Sequence, residues 1–385
     1  MTTPQEFNDI RPYDPDELPA VFDALLSDPQ FLAIVPQVFP GVSLEQFAQT
    51  LRSCKTNQEV QLKLIYNIVG HIEQKCTAGV EFDSRAIAPE GRYTFVSNHR
   101  DIVTDPAFLS KKLVDNGFPR TVEIAIGDNL LIYPWIRRVV RINKSFIVQR
   151  SAQMREMLAS SARLSRYMHF AIAEKHENVW IAQREGRAKD SDDRTQDSIL
   201  KMMAMGGEGS VVERLTQLHI VPLSISYEYD PCDYLKAAEF QMKRDNPDYV
   251  KTRANDLLNM RTGIFGYKGR VRYVAAPCID GWLAGLDPKL KKNALFDAIA
   301  KHIDNEIFTH YCLYPGNYAA ADMLTGGDRF VARYSSEERA KFADYIESRI
   351  AKIDLPGKDV PFLRERLLTM YANPALNNAR ALGTL

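Results

Sequence analysis

The stretch FVSNHRDIVTDPAFL, residues 95–109, decides how the rest of the chain is read. An apolar run from Tyr93 to Val96 has the texture of a buried strand, and it turns polar at Ser97-Asn98-His99-Arg100-Asp101. Asp105-Pro106 follows, which predicts a helix with Asp105 at the N-cap and Pro106 at its first position. The unit is strand, loop, helix, with a histidine, an arginine and two carboxylates before the helix gets under way. Loops held by flanking elements keep catalytic side chains both fixed and accessible. A carboxylate bound to one imidazole nitrogen leaves the other free to take a proton from a hydroxyl, worth roughly 10²–10⁴ in rate. A lone histidine more often just satisfies the end of a strand. The neighbours of this one shift the balance.

Working outward, residues 1–18 read as an extended lead-in, and from Leu18 to about Glu81 the pattern is helical. Asp28-Pro29, Ser43 and Asn57 are its start signals, and a cap packed on the next domain is the expected role. After Val80, short apolar runs alternate with helical stretches. RYTFVSN, TVEIAIGD, SFIVQR, NVWIAQRE and HIVPLSISYEY are predicted strands, with GRVRYVAAPCI as one more. Between them lie predicted helices at DPAFLSKKLVDNG, NLLIYPWIRRVV, Ser151 to Lys175, DSILKMMAM and Leu235 to Arg261. Strands alternating with helices predict an α/β layer with a partly parallel sheet. The expected division is a helical region over 1–82, an α/β domain over 83–280 and a helical region over 281–385.

The chain has 385 residues, 45% of them hydrophobic and 25% charged, with a formal net charge of zero. That composition fits a soluble globular protein, and the charge balance gives no reason to expect nucleic acid as a partner. The five cysteines are scattered, without a C-x-x-C pair, so neither a disulfide framework nor a zinc site is expected. The opening residues are acidic and proline-containing, unlike a signal peptide. No apolar run approaches the roughly 20 residues a membrane span needs. The expected location is cytoplasmic, with peripheral contact at the inner face of the membrane. YPWIRRVVRINK, residues 133–144, is the candidate for that contact. A core helix whose arginines line the active-site crevice is an equal alternative.

Four segments end a strand with charged or special residues. They are the His99 loop, Ser145 to Arg150 with Lys144 ahead of it, Gln183-Arg184-Glu185-Gly186-Arg187, and Ile220-Val221-Pro222. In an open α/β sheet the loops after the strands form the ligand crevice. DSDDR, residues 190–194, reads as a polar turn, and His169, His176 and His219 read as structural.

Taken in order, the four segments resemble the glycerolipid acyltransferases, the family of the glycerol-3-phosphate and lysophosphatidate enzymes. The resemblance covers residues 90–230 and implies an acyltransferase-like mixed sheet flanked by helices, with helical N- and C-terminal extensions. It implies that His99 is the general base and that an aspartate orients it. The family's N-H-x-x-x-x-D spacing falls on Thr104, one residue before Asp105. Asp105 is preferred because a carboxylate at a helix N-terminus is held in place, and Asp101 is the substitute. Arg150 and Arg187 would hold an acceptor phosphate, and Glu185-Gly186 would shape the pocket. Asn98, Arg100, Lys144 and Arg184 complete the implied substrate-binding set. Gln183-Arg184 stands where the family has Phe-Pro. No metal, cofactor or covalent acyl-enzyme is implied, and acyl-CoA or acyl-carrier protein is the co-substrate. The expected function is transfer of a fatty acyl group to a hydroxyl of a glycerol phosphate or lysophospholipid. The alternatives are an aminolipid or other phosphate-free alcohol as acceptor, or a non-catalytic lipid- or acyl-carrier-binding module.

Overall fold

Seven short runs pair into one mixed sheet in the computed structural model, which describes residues 3–149 and 154–385. They are β1 (Val80–Asp83), β2 (Thr94–Ser97), β3 (Val122–Gly127), β4 (Ser145–Val148), β5 (Asn178–Ala182), β6 (Ile220–Tyr227) and β7 (Val271–Ala275). Their spatial order is β1-β7-β6-β2-β5-β3-β4. β6 and β7 are antiparallel, and every other neighbouring pair is parallel. β2 and β6 are buried along their whole length, as continuous apolar runs require in a sheet covered on both faces. Pro222 is tolerated inside β6 because it precedes the β6–β7 ladder, which begins at Leu223; its carbonyl accepts from Ala276 N–H.

The period of two divides the core. Val96, Ile181 and Ile220 face the helices Met154–Ala173, Asp197–Met203 and Lys292–Thr309. Phe95, Trp180 and Val221 face Phe108, Leu109 and Leu113 of the helix Thr104–Asp115. The helices Pro315–Thr325, Ser336–Ala351 and Val360–Ala381 share a further core with the helix Asp233–Asp245. A buried pair, Arg349 Nε to Asp233 Oδ1 at 2.5 Å, crosses that core. The hydroxyls of Tyr345 and Tyr371 donate to the other oxygen of Asp233.

Three expectations change. β1 overlaps the end of the stretch read as helix, because four residues paired to a distant β7 leave no local pattern. The predicted helix from Leu235 to Arg261 is two helices, Asp233–Asp245 and Arg253–Phe265, and Pro247 lies in the break. The lead-in is built into the body. Phe7 and Ile10 are buried, at roughly 1.5–3 kcal/mol each, and Ile10 O accepts from Ile147 N at 2.8 Å along the outer edge of β4.

That lead-in also answers the basic segment read as a membrane patch. In the helix Pro134–Ile142, Arg141 donates to the carbonyls of Arg11 and Asn8 at 2.7 Å each, and Arg137 donates to that of Asp9 at 2.8 Å. Trp135 packs near Phe31 of the N-terminal helices. These arginines tie down backbone, and neither lines the cleft. Asp28 and Ser43 cap N-terminal helices as read, while Thr56 takes the capping place read as Asn57. No single helix among the described residues is long and apolar enough to cross a membrane. The helices Leu18–Leu26 and Pro29–Val38 pass that test only together, bent by 88°, and their Phe22, Leu25, Phe31 and Val35 are buried in the N-terminal core.

Candidate active site

At the end of β2, Asn98 Nδ2 donates to Ile225 O at 2.9 Å, and its Oδ1 accepts from Ile225 N at 2.8 Å. Both arms of the amide are therefore used in stitching the loop to β6, and the buried residue does not line the cleft where a substrate contact was expected of it. His99 follows, its backbone N–H donating to Asp193 Oδ2 at 2.8 Å.

Asp105 is the second residue of the helix Thr104–Asp115, not its N-cap. The capping is done by Asp101, whose Oδ1 accepts from Val103 N at 2.9 Å and Thr104 N at 2.8 Å. Asp105 instead turns back under the loop. Its Oδ2 accepts from Arg100 N at 2.7 Å and Asp101 N at 2.9 Å, and lies 3.0 Å from His99 Nδ1. Its Oδ1 accepts from Tyr227 O–H at 2.9 Å. Four donors thus replace the water lost by a carboxylate with no solvent exposure. With Nδ1–H on Asp105, Nε2 of His99 has no partner among the described residues. The Trp180 ring stands edge-on to the imidazole at 5.7 Å.

His99 lines a cleft of about 660 Å³ at the carboxyl ends of β2, β3, β4 and β5. Part of the wall is apolar, with Ile126, Val148, Leu164, Ile199 and Met202. Another part carries Arg184, Glu185, Gly186, Arg187, Lys189, Lys236 and Lys251. Gly186 has φ +67°, the left-handed region where a side chain is disfavoured. The turn it allows leaves Glu185 exposed and brings Arg187 inward.

The lysines are already paired. Lys189 meets Glu239, Lys236 meets Asp230 at 2.5 Å, and Lys251 meets Asp256 at 2.6 Å. Burial opposes the charge on Asp230, but Lys236, Arg100 and Arg187 hold its carboxyl down at about 2. Arg187 differs. Its Nη2 donates to Asn259 Oδ1 at 3.2 Å, while Nη1 is sealed from solvent with no partner among the described residues. Burial works against the guanidinium, yet Cys232, Asp101 and Asp230 keep it charged.

The other expected residues fall in different places. Arg100 is buried behind the loop, its Nη2 at 3.7 Å from Asp230, and does not line the cleft. Lys144 sits ahead of β4, at the end of the strand remote from His99. There its Nζ donates to Glu177 at 2.6 Å and Gln58 at 3.0 Å, so it is a buried structural pair and not a substrate contact. Arg184 Nη1 lies 3.8 Å from Asp193 Oδ1. Arg150 lies outside the described residues.

Sequence reading missed Asp193, Tyr227, Lys236, Lys251 and Asn259. Asp193 and Tyr227 reach this loop from 94 and 122 residues away. DSDDR looked like a polar turn because no local pattern marks one of its aspartates as buried; burial pushes the Asp193 carboxyl up against the pull of His99 N–H.

A histidine held by a buried carboxylate, with no serine or cysteine nucleophile beside it among the described residues and an apolar wall at hand, has the composition of a direct group-transfer site. Residues 79–226 match the sequence profile of the family described as Acyltransferase, and they contain all four segments that resemble the glycerolipid acyltransferases. Those residues carry an acyltransferase domain, and the chain is an enzyme of the acyltransferase type. No curated protein sequence matches it. Among solved structures it is similar to the 1-acyl-sn-glycerophosphate (LPA) acyltransferase PlsC from Thermotoga maritima. The two are 13% identical over 74% of this chain and 94% of that chain, with a TM-score of 0.35, a likeness too distant to bear on substrate or mechanism.

Proposed function

We propose that the protein moves a fatty acyl group from acyl-CoA or acyl-carrier protein to a hydroxyl of a glycerol phosphate or lysophospholipid at a membrane surface. The acceptor O–H gives its proton to His99 Nε2 as the oxygen attacks the thioester carbonyl. The tetrahedral intermediate then collapses with cleavage of the C–S bond, and the leaving thiolate takes the proton back from the imidazolium. Asp105 fixes the tautomer that leaves Nε2 basic and balances the imidazolium when it forms. No acyl-enzyme is formed and no metal takes part. The observation that carries this reading is the 3.0 Å contact from the buried Asp105 Oδ2 to Nδ1 of His99, which lines the cleft.

The apolar wall suits the acyl chain. Arg187, on the cleft wall, suits an acceptor phosphate, since a guanidinium offers a planar pair of donors. The test is a labelled acyl-CoA with glycerol 3-phosphate, lysophosphatidate and their phosphate-free counterparts. Arg187→Ala should lower kcat/KM for the phosphorylated acceptor by about 10-fold or more, with donor KM little changed and Lys rescuing only in part. Equal use of phosphate-free acceptors by the wild type would remove the phosphate assignment.

A further inference from the structure

The helix Arg253–Phe265 is arranged the wrong way round for a surface helix. At about 100° per residue, Asp256, Asn259 and Gly263 share its inner side. Asp256 and Asn259 line the cleft, and a Cβ on Gly263 would lie 1.9 Å from Asp101 Oδ2. Ala254, Leu257, Leu258, Arg261 and Phe265 share the opposite side, and all are exposed. Leu257 is 41% exposed, Leu258 46% and Phe265 55%; Val250 just before the helix reaches 79% and Tyr267 just after it 56%. Met157, which also lines the cleft, and Leu158 beside it are 46% and 62% exposed. Single exposed apolar residues are ordinary, whereas a group gathered along one helix and its two ends marks an interaction surface.

The charges select the partner. Lys251 and Asp256 neutralise each other. Arg253 and Arg261 are exposed and carry no ion pair among the described residues. We infer that this face docks on an anionic lipid bilayer, with the leucines and aromatic rings entering the interface and the two arginines meeting headgroup phosphates. The exposed bulky apolar groups outnumber the two arginines, which favours lipid over an acidic protein. Docked in this way, the helix that walls the cleft lies at the bilayer surface, where a lysolipid acceptor resides. The inference rests on the lipid-acyltransferase reading. The helix lies beyond residue 226, where the family match ends.

The test is flotation of the full chain with vesicles of phosphatidylglycerol and phosphatidylcholine, against phosphatidylcholine alone. The variants are Leu257→Asp with Leu258→Asp, and separately Arg253→Glu with Arg261→Glu, each checked by circular dichroism. Each should lower binding to the anionic vesicles by about 10-fold or more and leave turnover of glycerol 3-phosphate within about two-fold. Unchanged binding by both variants, or equal wild-type binding to both vesicle types, overturns the inference. So does loss of turnover with acyl-carrier protein while vesicle binding persists, which would make the face a protein-docking surface. Failure of the acyltransferase reading itself would appear separately, as no turnover by the wild type on any acceptor, glycerol 3-phosphate and lysophosphatidate included.

Discussion

Asp101 and Asp105 stand four residues apart and do different work. Asp105 receives two backbone N–H groups, the Tyr227 hydroxyl and the imidazole, whereas Asp101 caps the helix that follows. Asp105→Asn should therefore lower kcat by roughly 10²-fold or more, because the imidazole tautomer is no longer fixed. Asp101→Asn keeps the capping oxygen and should leave kcat within a few-fold. Asp101→Ala should lose about 0.5–2 kcal/mol of stability, read by thermal melting. A larger kcat loss for Asp101→Asn than for Asp105→Asn contradicts this division. Which aspartate serves His99 was not legible in the spacing, since counting along the chain does not show which way a side chain turns at a helix start. Asn98 shows the same limit: its partner, Ile225, lies on a strand 127 residues away.

Elements with their own period were readable, and those defined by a remote partner were not. Phe95 and Val96 face opposite layers as an alternating strand requires, whereas β1 exists only because β7 lies beside it. Asp304, on the helix Lys292–Thr309, shows an element reaching the site from outside the motifs. Its Oδ1 accepts from both N and Oγ1 of Thr195, holding the loop that carries Asp193. Burial pushes its carboxyl up to about 6, against the pull of Thr195. The folded value is thus above the unfolded one, so this contribution to stability is present at low pH and is lost as pH rises through about 6. Asp304→Asn keeps the accepting oxygen and cannot ionise. Compared by urea unfolding at about pH 5 and about pH 7, it should gain on the wild type at the higher pH, by at most about 1.4 kcal/mol per unit crossed. A difference that does not change with pH contradicts this role.

Across the whole molecule, the site extends past the domain that bears the family motifs. Lys236, Lys251 and Asn259 line the cleft from beyond residue 226. Tyr371 of the last helix accepts the N–H of Asp230, whose carboxylate faces Lys236 and Arg100. Gly263 lets the helix Arg253–Phe265 close against Asp101, so the C-terminal half of the chain packs directly on the His99 loop. The motifs alone could reveal the base and its strand-end setting, because those are local. The opposing wall comes from residues that carry no motif. What unites both halves is a single chemical claim, that His99 deprotonates the acceptor. Its most direct test is acyl transfer from labelled acyl-CoA by purified wild type and His99→Ala under saturating donor. Turnover should fall by roughly 10²–10⁴-fold with the circular dichroism spectrum unchanged, and a variant that turns over within a few-fold of the wild type would contradict this role for His99.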